Sequence, residues 1–148
     1  MSWSATFMPL ITAIHPNVKC MWARDLAGNS HMACVGSVDG SGTPAEIPES
    51  QRSCFDAPTK AELDVIVKSA ATEVPISTGA TIGGAGYMCV YNVDNMVGFA
   101  KKGDSNTQVV VAVFKTIAVF AYGSPGIKVN QIVGHLSATK KYFDGINY

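Results

Sequence analysis

From Ala80 to Tyr122 the chain reads ATIGGAGYMCVYNVDNMVGFAKKGDSNTQVVVAVFKTIAVFAY. Small and turn-forming residues interrupt it at Gly83-Gly84-Ala85-Gly86, Asp94-Asn95, Gly103-Asp104-Ser105-Asn106 and Lys115-Thr116. Between the interruptions β-branched and aromatic residues dominate. This spacing predicts a meander of about five strands, over 80–82, 87–91, 96–100, 108–114 and 117–122, joined by short turns. The run Val109-Val110-Val111-Ala112-Val113-Phe114 is apolar on both faces, so the sheet is expected to be covered on both sides.

Immediately upstream the period changes. Thr59 and Glu62 form a T-x-x-E capping box after Pro58, and Leu63, Ile66, Val67 and Ala70 then recur at helical spacing. Pro75 is expected to end this helix. Further back, Asp39–Ser53 is rich in Gly, Ser, Pro and Glu and reads as an exposed loop, within a surface segment over about 39–55. Val18–Arg24 and Met32–Val38 read as strands around a turn at Ala27-Gly28-Asn29. Ser2 can cap a first helix whose stripe is Trp3, Phe7, Leu10, Ile11 and Ile14, and Pro9 is expected to shorten or kink it. Downstream of Gly123-Ser124-Pro125-Gly126, Asn130 is expected to cap a last helix with Ile132, Leu136 and Phe143 inward. Gly134 weakens that helix by about 1 kcal/mol relative to Ala. The outline is one α+β domain over 1–148, built on a central antiparallel meander sheet of about six to seven strands.

Composition bounds the function. The 148 residues are 47% hydrophobic, enough for one domain with a real core. Net charge is zero, which argues against nucleic acid as a partner. The charge is nonetheless polarised: 39–73 carries a net −4, and 101–148 a net +4 from six lysines against Asp104 and Asp144. Such polarity can steer an acidic partner onto one face. Cysteines 20, 34, 54 and 89 are scattered without a CxxC pair, so neither a zinc nor a redox motif is expected. The start lacks a secretory h-region, and no apolar run approaches the roughly 20 residues of a membrane span. A cytoplasmic protein with reduced thiols is expected.

Catalytic signatures are missing. The glycines at 83–86 are not followed by Lys-Ser/Thr, so they form no phosphate loop. His15, His31 and His135 have no metal-ligand spacing, and neither G-x-S-x-G nor H-E-x-x-H occurs. Cys89 falls in an expected strand and reads as core. Neither enzymatic activity nor a metal or cofactor is expected.

The two ends of the chain are aromatic: Met1-Ser2-Trp3, and Tyr142-Phe143-Asp144-Gly145-Ile146-Asn147-Tyr148. Large aromatic rings are costly to leave in water, and termini fray unless tied down. Both ends are therefore expected to be pinned. Side by side they would form a shallow surface suited to an extended apolar peptide.

These features together resemble the profilin family. The resemblance rests on Met1-Ser2-Trp3, on Thr78-Gly79-Ala80-Thr81-Ile82-Gly83-Gly84-Ala85-Gly86-Tyr87-Met88-Cys89-Val90, on Lys101-Lys102-Gly103, and on Tyr142 with the final Tyr148. It spans most of the chain and implies a divergent member. It implies terminal helices on one face of the sheet and the middle helix on the other. It implies a polyproline site at Trp3, Phe7, Met32, Tyr142, Phe143 and Tyr148. Two departures bear on that site: Thr6-Phe7 stands where the family usually has a tyrosine, and His31-Met32 replaces its second tryptophan. The resemblance also implies an actin-binding face at Met88, Val90, Lys101, Lys102, Ile127, Lys128, Asn130 and His135, with Tyr91 in place of a common basic residue. Implied partners are monomeric actin, proline-rich proteins such as formin-like nucleators, and phosphoinositide lipids met by Lys101, Lys102, Lys115, Lys128, Lys140 and Lys141. The implied location is the cytoplasm, with the cytoskeleton. Two alternatives stand beside this reading. One is a small-ligand sensor of the PAS or GAF kind, which needs a cavity between sheet and helix. The other is a profilin fold that has lost polyproline binding.

Overall fold

Apolar residues at helical spacing hold the first helix together despite its proline. In the computed structural model, which describes residues 2–74, 76–77 and 79–148, α1 runs Trp3–Ile14 straight through Pro9. Pro9 leaves the Ala5 carbonyl without its usual donor. Burial of Phe7, Ile11 and Ile14 against the sheet outweighs that loss, so the expected shortening does not occur. Ser2 caps the helix as expected, its side chain accepting from Ala5 N–H at 3.4 Å.

The strands are β1 (Val18–Asp25), β2 (His31–Gly36), β3 (Ala45–Glu46), β4 (Ala80–Ile82), β5 (Ala85–Val93), β6 (Met96–Lys101), β7 (Asp104–Val113) and β8 (Ile117–Gly123). Among the described residues they form one antiparallel sheet of eight strands, ordered β3-β2-β1-β8-β7-β6-β5-β4. The eighth strand, β3, comes from the segment expected to be an exposed loop. Ile47 and Phe55 are buried there, Ile47 N–H donates to Cys34 C=O at 2.8 Å, and a 3-10 helix spans Glu49–Cys54. Two buried apolar side chains thus draw a polar segment onto the sheet.

Turn chemistry sets the right-hand half. Gly83 and Gly84 both have positive φ, 62° and 82°, as a two-residue primed turn requires. Ala85 and Gly86 therefore belong to β5 and not to the loop. Asp94-Asn95 turns the same way, at φ 56° and 61°. The next turn narrows to Lys102-Gly103, because Lys101 pairs with Asp104, while 105–107 are extra residues on β7.

The middle helix α2 (Lys60–Thr72) is as expected, with both bonds of the Thr59–Glu62 capping box present. Glu62 also accepts from Gly83 N–H at 2.8 Å and Gly84 N–H at 3.2 Å, tying the helix start to the β4–β5 turn. Pro75, the expected terminator, lies outside the described residues.

The last helix is two helices, α3 (Val129–His135) and α4 (Ser137–Gly145), meeting at the fully buried Leu136. Asn130 is not its cap. Lys128 is the cap residue, and the first N–H groups are met by side-chain amides: Lys128 N–H by Gln131 at 2.9 Å and Val129 N–H by Gln108 of β7 at 2.7 Å.

Two cores result. Phe7, Ile11, Met21, Val110, Ile132, Leu136 and Phe143 fill the space under α1, α3 and α4. Trp22, Phe55, Leu63, Ile66, Phe99, Val111 and Phe120 fill the space under α2. The helices are thus layered as the family resemblance implies, termini on one face and middle helix on the other.

Candidate functional site

The two ends of the chain meet through aromatic rings. Trp3 and Tyr148 lie with centroids 4.9 Å apart, and Trp3 reaches Phe7 at 6.5 Å. Phe7 and Phe143 pack at 5.3 Å and are both fully buried, so they support the surface from beneath. Tyr142 stands edge-on to Phe143 at 5.0 Å and is 42% exposed. The last residue is fastened by its carbonyl, which accepts from Thr116 N–H at 2.7 Å and Thr116 Oγ1 at 2.9 Å. Trp3 and Tyr148 are thus both held to the fold, as the cost of their rings in water predicts.

Met32 reaches this side of the sheet through a bulge. Ala23 pairs with Ala33 and Arg24 with His31, which leaves Met32 as the extra residue. It packs, half-buried, against the core under the terminal helices. Its neighbour His31 turns to the other side, where Nδ1 accepts from Trp22 Nε1–H at 3.0 Å. Sequence reasoning missed Phe114, whose half-buried ring lies 5.1 Å from Phe143. Its only signal was its place at the end of the apolar run.

The second set of residues divides between the faces. Met88 and Val90 are 54% and 50% exposed on β5, Val90 being the extra residue of a bulge between Cys89 and Tyr91, and Val93, which sequence reasoning passed over, is 51% exposed at the far end of the strand. Met88 is in register with Ala100, and Tyr87 with Lys101. Since Tyr87 packs under α2, Lys101 points to that side, away from Met88. There its Nζ donates to Asp56 at 2.9 Å and sits 6.0 Å above the Tyr87 ring, while Tyr87 Oη donates to the same carboxylate at 2.6 Å. Lys102 is exposed beside Gly86. Lys128 and Asn130 are exposed at the start of α3, Lys128 Nζ reaching Ser105 C=O at 3.4 Å, and Ile127 and His135 are half-buried. The helix sits close to the sheet because Gly98 and Gly123 leave room: a Cβ on Gly98 would lie 2.3 Å from Val129 Cγ1.

Perturbed ionisations are structural in origin. Burial, reinforced by the Asp56 hydrogen bond, pushes the Tyr87 hydroxyl well above its ordinary value. Burial also raises Tyr122 and Cys20. It lowers His31, helped by Arg52 and Arg24. The Asp144 hydrogen bond raises Lys140. Among the described residues no three potential metal ligands cluster, and no helix is long and apolar enough to cross a membrane.

A profile of the Profilin family matches residues 21–148. The chain belongs to the profilin family, whose members are non-enzymatic actin-binding regulators. Solved profilins superpose over nearly its whole length. Mouse profilin IIa, solved with a double repeat from the FH1 domain of mDia1, shares 16% identity at a TM-score of 0.69, covering 100% of both chains. Acanthamoeba castellanii profilin IB shares 16% at 0.66, and Schizosaccharomyces pombe profilin 13% at 0.66, each covering 99% of this chain and 100% of the other. No match is found among curated protein sequences.

Proposed function

We propose that this protein binds actin monomers and docks proline-rich segments of partner proteins, so that one molecule presents a monomer to a tethered assembly machine. The observation that carries the docking half is the Trp3–Tyr148 ring pair, seated on two buried phenylalanines beside an exposed Tyr142. A polyproline II segment loses little entropy on docking, and its rings lie flat on aromatic faces. Its free carbonyls accept from indole N–H and phenol O–H groups. Trp3, Tyr142, Tyr148 and Met32 make these contacts in this reading, while Phe7 and Phe143 hold the platform in place. The mouse relative solved with an FH1 repeat supports such a partner class.

The actin half rests on family membership and on an apolar strip, Met88 and Val90, with Ile127, Lys128, Asn130 and His135 on and before α3. Lysine at the rim raises the on-rate for an acidic surface. Lys101 has a lesser part, because Asp56 holds it on the opposite side of the sheet. The reading extends to phosphoinositide headgroups through the exposed lysines of this set, with Lys140 also held by Asp144 at 2.8 Å. The protein would work in the cytoplasm, beside filaments. A ligand sensor is not favoured: buried apolar side chains pack both layers between sheet and helices.

Titration into fluorescently labelled monomeric actin tests the first half. Saturable one-to-one binding, weakened in Lys128→Glu, supports it; no binding at tens of micromolar, a free energy of about −6 to −7 kcal/mol, overturns it. Titration with a proline decamer, followed by intrinsic fluorescence, tests the second. Actin binding without any response to the decamer would identify a profilin fold that has lost proline recognition.

A further inference from the structure

Two of the four cysteines face each other inside the sheet. Cys20 on β1 and Cys34 on β2 are both fully buried in the core under α2, with sulfurs 3.6 Å apart. Cys20 is directly opposite Gly36 and Cys34 opposite Trp22, so the two thiols are diagonal neighbours. Gly36 has no side chain to fill the place across from Cys20, which lets the two sulfurs lean together.

We infer that Cys20 and Cys34 form a redox-active dithiol that closes to an intramolecular disulfide in the folded protein when a peroxide reaches it. One cysteine gives up its thiol proton and its sulfur attacks the peroxide O–O bond; the sulfur becomes a sulfenic acid, and the departing hydroxide takes up a proton and leaves as water. The second sulfur then attacks the first, the S–S bond forms, and the sulfenic oxygen leaves as a second water. Two electrons pass from the pair to hydrogen peroxide, so the exchange balances with no further reactant. Diagonal strand neighbours sit slightly farther apart than bridged cysteines usually do, so closure draws β1 and β2 together. A dithiol reductant reopens the bridge by thiol exchange.

Access is controlled by the 39–55 segment. Ile47 and Phe55 belong to the same buried cluster, and Ile47 N–H bonds to the Cys34 carbonyl. While this cover is closed, burial and the Cys34 contact hold the Cys20 thiol protonated and unreactive. Opening of this outer edge of the sheet sets the rate.

The test treats folded protein with hydrogen peroxide, blocks residual thiols and maps tryptic peptides. The four cysteines fall in separate peptides, Cys20 in 20–24 and Cys34 in 25–52. The expected result is a monomer lacking two hydrogens, with 20–24 joined to 25–52, the link persisting in Cys54→Ser/Cys89→Ser and absent in Cys20→Ser and Cys34→Ala. Trp22 lies on the same sheet face opposite Cys34, so its fluorescence in a Trp3→Phe background should fall on oxidation and recover with dithiothreitol. Free Cys20 and Cys34 after treatment, a link seen only after denaturation, or oxidation confined to Cys54 or Cys89 would overturn the inference.

Discussion

At the scale of single residues, the site depends on a division between rings that touch solvent and rings that do not. Trp3→Ala should weaken proline-decamer binding about tenfold or more, as loss of a central aromatic anchor does, while an unfolding curve shows the domain intact. Phe143→Ala should instead cost about 3–5 kcal/mol of stability by urea denaturation, because the ring is fully buried. His31 gives a pH dependence. Its folded pKa lies below the ordinary value, so the unfolded state binds the proton more readily, and stability rises with pH across that window. Stability should therefore decline as pH falls through about 6.5 and towards the lower folded value, as Trp22 Nε1–H loses its acceptor. Wild type minus His31→Gln in parallel pH titrations of thermal stability isolates this component; identical profiles would contradict it. By resemblance to the family, His31-Met32 stands where a second tryptophan is usual. The sequence alone does not show that a bulge puts Met32 on the terminal-helix face and His31 on the other, the reverse of plain alternation from Ala33, because bulges are set by pairing between strands.

At the scale of elements, legibility followed locality. The Thr59–Glu62 box and the Asp94-Asn95 turn use bonds or backbone angles contained within four residues, and both were readable from the chain. The start of α3 was not, since Gln108 caps it across 21 positions of sequence. Nor was the pairing of β3, which depends on Ile47 and Phe55 finding a core whose walls come from distant strands. The α3–sheet contact makes a specific prediction. Gly98→Ala would set a Cβ against Val129, so α3 must move outward at a cost of about 1–3 kcal/mol. Both the melting temperature and the affinity for monomeric actin should fall, because α3 carries Lys128 and Asn130. An unchanged actin affinity in a destabilised Gly98→Ala protein would separate α3 position from binding.

At the scale of the whole molecule, both proposed surfaces lie on the terminal-helix face of the sheet, one at the Trp3–Tyr148 ring pair and the other along β5 and the start of α3. The meander and its flanking helices were legible as a class because alternation, turn residues and helix caps agree with one another. The composition of the proposed actin face was less so: which side of β6 Lys101 takes follows from register, and register is fixed by the whole sheet. The central claim is that one copy holds an actin monomer and a proline-rich segment together. Polyproline-coated beads mixed with labelled monomeric actin test it directly. The account predicts that actin is retained only when this protein is present, that Lys128→Glu protein still binds the beads but retains less actin, and that Trp3→Ala abolishes retention of both. Beads that hold the protein but never actin, or that fail to hold the protein at all, would contradict it.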